Sequence, residues 1–147
     1  MKIKVKKSAF EDELWPEIKE IRYKVFVQEQ NVDEAEEYDQ YESGCPHFLA
    51  FANGTPAGTA RWRKTEKGFK LERFAVLKPF RKYGVGSALV KTVLAEVLTI
   101  ANGKPIYLHA QVQAIPFYQK LGFEPFGDEF IEAEIVHMAM KLTNNIQ

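Results

Sequence analysis

The sequence predicts an α/β fold: a central mixed, mostly antiparallel sheet with helices on both faces. Three features point there. Strand-like runs follow one another over 47–51, 55–64 and 69–76, separated by turn residues. A helix with a wide apolar face follows over 84–102. A strand, a short helix and two more strands then close the chain. A meander joined to a β-α-β segment gives a mixed sheet, because the crossover makes its two strands parallel.

The chain has 147 residues, the length of one domain, read as 1–147. A chain of this size buries roughly 68–70% of its unfolded surface, enough for a core without staples. Apolar residues make up 46% and charged residues 27%, which argues against a disordered, collagenous or coiled-coil chain. Twenty Lys and Arg balance twenty Asp and Glu. A general nucleic-acid binder carries excess basic charge, so that class is disfavoured. Residues 1–7 alternate charged and apolar side chains and do not read as a signal peptide. No run of about 18 apolar residues exists, so no membrane span is expected. The expected setting is cytoplasmic. Cys45 is the lone cysteine and reads as a small semi-buried residue of a reducing compartment.

Each element has a local reason. Residues 2–7 alternate and suit a strand with Ile3 and Val5 inward. Ser8 and Glu11 match a capping box. Leu14, Ile18, Ile21 and Val25 then form one face of an amphipathic helix, with Pro16 confined to its first turn. Residues 31–45 are acidic, lack apolar period and read as a loop with at most one helical turn. Loops this long are often functional. Asn53-Gly54 marks a tight hairpin turn, and Glu66-Lys67-Gly68 a second. Over 84–102, Leu89, Val93, Val97 and Ile100 line one stripe, with Val90, Leu94 and Leu98 beside it. Such a helix is buried against a sheet. Asn102-Gly103 stops it and Pro105 follows. Residues 106–110 read as a strand and 114–121 as a short helix ended by Gly122. The last strands are 123–126 and 135–142.

The stretch most informative about chemistry is Arg81-Lys82-Tyr83-Gly84-Val85-Gly86-Ser87, which leads from a strand into the long helix. Helix N-termini present unpaired N–H groups and the positive end of the dipole. Glycines there let an anion approach the backbone closely. Two other glycine loops are excluded. A P-loop needs Gly-Lys-Ser/Thr, and a dinucleotide fingerprint needs a glycine where Leu89 stands. A tight strand-to-helix turn without a ligand stays open on spacing alone.

This segment resembles the acyl-CoA-binding signature of the GNAT N-acetyltransferase superfamily. A second element, Ala114-Ile115-Pro116-Phe117-Tyr118-Gln119-Lys120-Leu121-Gly122-Phe123, is similar to the superfamily's Ala-x-x-Phe-Tyr-x-x-x-Gly-Phe. The two stand in the right order, separated by the expected helix and strand. A narrower likeness, to the small bacterial ElaA/YjcF-like branch, rests on residues 21–30, Asp39, His47 and residues 137–140.

The resemblance implies an acetyl-CoA-dependent enzyme. Acetyl-CoA binds as co-substrate in a V-shaped opening between splayed parallel strands, here 70–76 and 106–110. Phe74, Ala75 and Val76 pair with the pantetheine arm. Arg81, Lys82, Tyr83, Gly84, Val85, Gly86 and Ser87 hold the pyrophosphate. Gln111 stands where the superfamily often has Asn. Phe117 and Lys120 belong to the same cofactor surface, and Lys120 reaches toward the adenosine phosphate. A primary amine attacks the thioester directly, so Cys45 is not needed as a nucleophile.

The resemblance also assigns roles. Tyr118 is the general acid for the leaving thiolate, and the amide of Phe74 or its neighbour is the oxyanion donor. Glu72 is the candidate base, with a water chain as the other option. Strand alternation puts Glu72, Phe74 and Val76 on one face. The acceptor site draws on Arg22, Glu29, Gln30, Asp39, His47, Arg73 and His137. The acidic loop 33–39 either attracts a cationic amine or is a solvated face. The histidines, His47, His109 and His137, lack i,i+3 or i,i+4 pairing, so no metal is expected. Homodimers are frequent in the superfamily, and the last strands offer an edge for one. The competing classes are a CoA-binding regulatory module without turnover and an interaction domain that binds no CoA.

Overall fold

The computed structural model describes residues 1–8, 13–37 and 44–143. The capping box drawn from Ser8 and Glu11 depends on residues outside that set, and Asp39 also lies outside it. Seven strands form one sheet: β1 (Ile3–Ser8), β2 (His47–Ala52), β3 (Thr55–Thr65), β4 (Gly68–Val76), β5 (Ile106–Gln111), β6 (Phe123–Glu132) and β7 (Ile135–Leu142). Their order is β1-β2-β3-β4-β5-β7-β6. Every neighbouring pair is antiparallel except β4 and β5. The mixed, mostly antiparallel sheet read from the sequence is therefore present.

Strand alternation sorts the core onto two faces. Phe48, Ala50 and Ala52 of β2 face the long helix α3 (Val85–Leu98), which buries Leu89, Val90, Val93 and Val97 with Leu71 and Leu108. Leu49 points the other way and packs with Ile18, Ile21, Val25 and Ala75. Helix α1 (Trp15–Arg22), with Pro16 in its first turn, supplies that second cluster. Helices cover both faces, as expected.

Three boundaries differ from the sequence reading, at the end of α1, the end of α3 and the end of β6. After Arg22 the chain winds as a π-helix over Tyr23–Glu29, where a continuous α-helix was predicted. The acidic segment carries the single helical turn the sequence allowed, α2 (Glu34–Glu37), with the Asp33 carboxylate accepting the Ala35 N–H at 2.9 Å. Helix α3 ends at Leu98 rather than near Asn102, and Leu98 and Ile100 are exposed. Thr99 and Ile100 turn back to Glu96 and Val97 through i→i+3 bonds instead. Strand β6 runs to Glu132, six residues past its predicted end. The β6–β7 turn uses Ala133 and Glu134 at φ 50° and 63°. That two-residue geometry is the one Asn53 and Gly54 form at φ 50° and 84°, but Ala-Glu carries no sequence signal for it. The short helix α4 (Ile115–Gln119) follows β5 as predicted.

Gly68 pins the start of the parallel pair. Its φ is 142°, and a Cβ there would lie 2.2 Å from the Pro105 carbonyl oxygen. That carbonyl accepts the Phe69 N–H at 2.9 Å, so the backbones cannot separate cheaply. Gly68→Ala is expected to lower stability by at least ~2 kcal/mol, read as a lower urea midpoint at unchanged m-value.

Candidate functional site

The site begins where β4 and β5 part. They pair only at Phe69↔Ile106 and Lys70↔Tyr107. Beyond Lys70 the β5 side of β4 has no strand partner among the described residues. On its other edge β4 carries a bulge. Thr59 pairs with Ala75 and Arg61 with Glu72, so two β4 residues oppose one β3 residue. Arg73, inside the bulge, has φ 59°. An extra residue breaks strict alternation. Phe74 and Val76 pack toward the α3 core, whereas Glu72 is buried against Arg61. The sequence reading that set Glu72 on the same face as Phe74 and Val76 is therefore corrected: the bulge reverses the side.

At the C-terminal end of β4 lies a cavity of about 400 Å³, lined by Val76, Phe80, Arg81, Lys82, Gly84, Val85, Gly86, Ser87 and Phe117. Gly84 is the N-cap of α3 at φ 89° and has no side chain to cap with. The first amides of the helix therefore have no side-chain cap, an arrangement that can take an anion. A Cβ on Gly86 would lie 3.3 Å from the Phe117 ring, so that floor has little spare room. Arg81 lines the cavity with its guanidinium already engaged. It forks onto both Glu29 oxygens at 2.7 and 2.6 Å, and its Nε donates to the Val76 carbonyl at 2.9 Å. The Arg81 hydrogen bond keeps the Glu29 carboxyl below its ordinary range. Tyr83 is exposed and outside the lining. Lys120 is also exposed and lines neither cavity.

A second cavity of about 390 Å³ opens further back along β4, where β4 and β5 part. Phe74, Glu72, Arg73, Tyr118, Gln30, Gln111 and His137 line it. The Tyr118 ring meets Phe74 at 6.1 Å and Phe117 at 5.0 Å, and burial pushes its hydroxyl pKa up. It therefore stays protonated at neutral pH. Gln111 donates to Gln30 at 2.9 Å, which ties β5 to the end of the π-helix.

Glu72 sits in an ion cluster with Arg61 Nε at 2.6 Å, Arg63 Nε at 3.0 Å and Lys70 Nζ at 3.4 Å. Burial alone would raise its pKa, but Arg61, Lys70, Arg63 and Arg73 outweigh burial and hold it below the ordinary range. A second buried cluster joins Arg22 and Arg73 to Glu37.

Of the predicted acceptor residues, Gln30, Arg73 and His137 reach this cavity. Arg22 is buried in its ion pair, Glu29 is engaged by Arg81, and His47 packs edge-on against Trp15 at 5.2 Å. None of these three lines the cavity. Its wall also holds His109, Glu132, Lys70 and Arg63, which sequence reasoning did not single out. His109 and Glu132 meet because β5, β7 and β6 are adjacent, and Lys70 and Arg63 join them from β4 and β3; no sequence signal gives that order. Among the described residues no three His, Cys, Asp or Glu side chains form a metal-ligand set. No described helix is long and apolar enough to cross a membrane.

A profile described as "Acetyltransferase (GNAT) domain" matches residues 9–144. The chain belongs to the GNAT acetyltransferase family. YjcF of Bacillus subtilis, named as an N-acetyltransferase, is 39% identical over 121 residues, covering 82% of this chain and 86% of that protein. The crystal structure of Escherichia coli ElaA superposes with a TM-score of 0.83 at 25% identity, covering 95% of this chain and 99% of that one. An Arabidopsis thaliana protein solved with the bisubstrate analogue CoA-Ac-MVNAL has a TM-score of 0.67 at 26% identity, covering 92% and 97%.

Two outcomes test the electrostatics of this acetyltransferase. Glu72→Gln leaves Arg61 buried without its counter-charge and is expected to cost about 3–5 kcal/mol in urea unfolding. Glu132, whose pKa is lowered to about 2 by the His109 hydrogen bond, stabilises the fold above the ordinary carboxylate range, and this contribution is lost as pH falls toward 2. Glu132→Gln should therefore flatten part of the acid limb of a stability-versus-pH curve and leave the alkaline limb unchanged.

Proposed function

We propose that this chain transfers the acetyl group of acetyl-CoA to a primary amine of a small molecule or peptide. The free amine attacks the thioester directly. The observation that carries this reading is the unpaired edge of β4, flanked by a glycine-lined cavity at a helix N-terminus and a cavity holding a protonated tyrosine. The pantetheine arm adds to β4 along Phe74, Ala75 and Val76, as an extended peptide adds to a sheet edge. The pyrophosphate lies on the amides of residues 82–87, with Lys82 at the rim. Arg81 supports that loop through the Val76 carbonyl and Glu29. Tyr83 and Lys120 lie outside the cavity and contribute outer-edge contacts to the nucleotide.

The reacting carbonyl then comes between the bulge and Tyr118. An N–H released by the bulge at Arg73 and Phe74 donates to the oxygen as it gains charge. The C–N bond forms, the C–S bond breaks, and Tyr118 protonates the departing thiolate. Glu72 supplies a fixed negative charge in the same wall. Its lowered pKa makes it a weak direct acceptor of the amine proton at neutral pH. Gln30, Gln111, Arg73 and His137 bound the acceptor.

Calorimetry with acetyl-CoA should give saturable binding at one site per chain. Gly86→Glu, which adds charge and bulk to the anion site, should abolish it. Tyr118→Phe should retain binding and lose roughly 100-fold in kcat. Absence of acetyl-CoA binding to the folded wild-type protein would overturn the reading. Binding without thiol release in a broad amine panel would favour a CoA-binding module instead.

A further inference from the structure

The second cavity contains a group of side chains that this mechanism has not used. His109 of β5, Glu132 of β6 and His137 of β7 meet on its wall. His109 Nδ1 lies 3.0 Å from Glu132 Oε1, and His137 Nε2 lies 3.9 Å from Glu132 Oε2. The rings are fixed by packing. Phe130 meets His109 edge-on at 4.9 Å and stacks on His137 at 5.9 Å, while Tyr107 touches His109 at 6.0 Å.

The hydrogen bonds fix the tautomers. A carboxylate only accepts, so His109 Nδ1 carries a proton, and in the neutral ring the lone pair is on Nε2. Among the described residues nothing hydrogen-bonds His109 Nε2. His137 Nδ1 likewise donates to the Ile135 carbonyl at 2.7 Å, leaving its Nε2 toward Glu132. The His109 hydrogen bond, with Lys70, His109 and His137 nearby, holds Glu132 ionised against the effect of burial. One carboxylate is therefore ready to neutralise one imidazolium.

By register from Lys70↔Tyr107, Glu72 and His109 stand level across the opening. What separates them is their partners: Arg61, Arg63 and Lys70 engage the Glu72 carboxylate, whereas His109 Nε2 is unoccupied among the described residues. The charged groups lining the cavity with His109 and Glu132 are Arg63 on β3, Lys70, Glu72 and Arg73 on β4, Glu37 on α2 and His137 on β7. A general base works best when it titrates near the working pH, and imidazole is the side chain suited to that.

We propose that His109, oriented by Glu132, takes the ammonium proton from the amine acceptor. The proposal rests on the acetyl-transfer reading above. R–NH₃⁺ gives one proton to His109 Nε2, and the resulting amine attacks the acetyl carbon. A second nitrogen proton replaces the one Tyr118 has given to the thiolate sulfur. The imidazolium returns its proton to solvent at the cavity mouth. His109 touches the substrate; Glu132 is a positioning residue.

The test compares two probe amines with acetyl-CoA: ethylamine, which is protonated at neutral pH, and trifluoroethylamine, which is mostly neutral. A missing base should matter only for the first. His109→Gln is expected to lower kcat/KM for ethylamine roughly 100-fold at pH 7, with recovery as pH rises. It should change trifluoroethylamine turnover little and leave acetyl-CoA binding intact. Nitrogen NMR of the histidine rings should find His109 in the Nδ1–H tautomer, and Glu132→Gln should shift that equilibrium and the pH profile together. Equal losses with both amines, no loss, or an Nε2–H tautomer would overturn the role of His109 alone. Wild-type protein that binds acetyl-CoA but acetylates neither probe nor any amine of the panel would overturn the acetyl-transfer reading first. The NMR tautomer judges the geometry independently of turnover and of whether His109→Gln folds.

Discussion

Strand β4 is bonded on both edges only as far as Lys70. Past that point β5 turns toward β7, and the β5 side of β4 has no strand partner among the described residues. A buried strand edge demands partners for its N–H and C=O groups. Among the described residues no strand supplies them on that side, and only Arg81 reaches the Val76 carbonyl, so the edge can accept an extended ligand. The two cavities flank this stretch, one toward Val76 and one toward Phe74. The α3 N-terminus, Tyr118 and the charged wall are all arranged around it.

The bulge at Arg73 is the second consequence of the same strand. It turns Glu72 into an ion cluster with Arg61 and sends Phe74 toward Tyr118. Arg73, displaced by the bulge, reaches Glu37 near the end of the acidic segment. One inserted residue thus joins the sheet to α2 through charge and to α4 through aromatic packing. Charges so deeply buried need partners of opposite sign, and both clusters provide them.

Much of the fold was legible because its elements obey local rules. Leu14, Ile18, Ile21 and Val25 show their period whether or not the helix continues as α or π. Asn53-Gly54 announces its turn by the φ values those residues tolerate. Ala133-Glu134 adopts the same turn with no such residues, because the paired strands β6 and β7 impose it, so the end of β6 was misread. Leu98 and Ile100 looked like core by period, but the chain leaves the helix before the stripe is completed.

Local chemistry in the sequence determined the glycine-rich entry to α3, the aromatic pair Phe117-Tyr118 and the strand runs that frame them. These depend on residues within a few positions of one another. Tertiary structure alone decided that Arg81 faces Glu29, that Glu72 turns away from Phe74, and that His109, Glu132 and His137 share one wall. Those outcomes follow from a bulge and from the spatial order β4-β5-β7-β6. Both are set by which strands find each other in space, and a linear pattern of side chains does not encode that pairing.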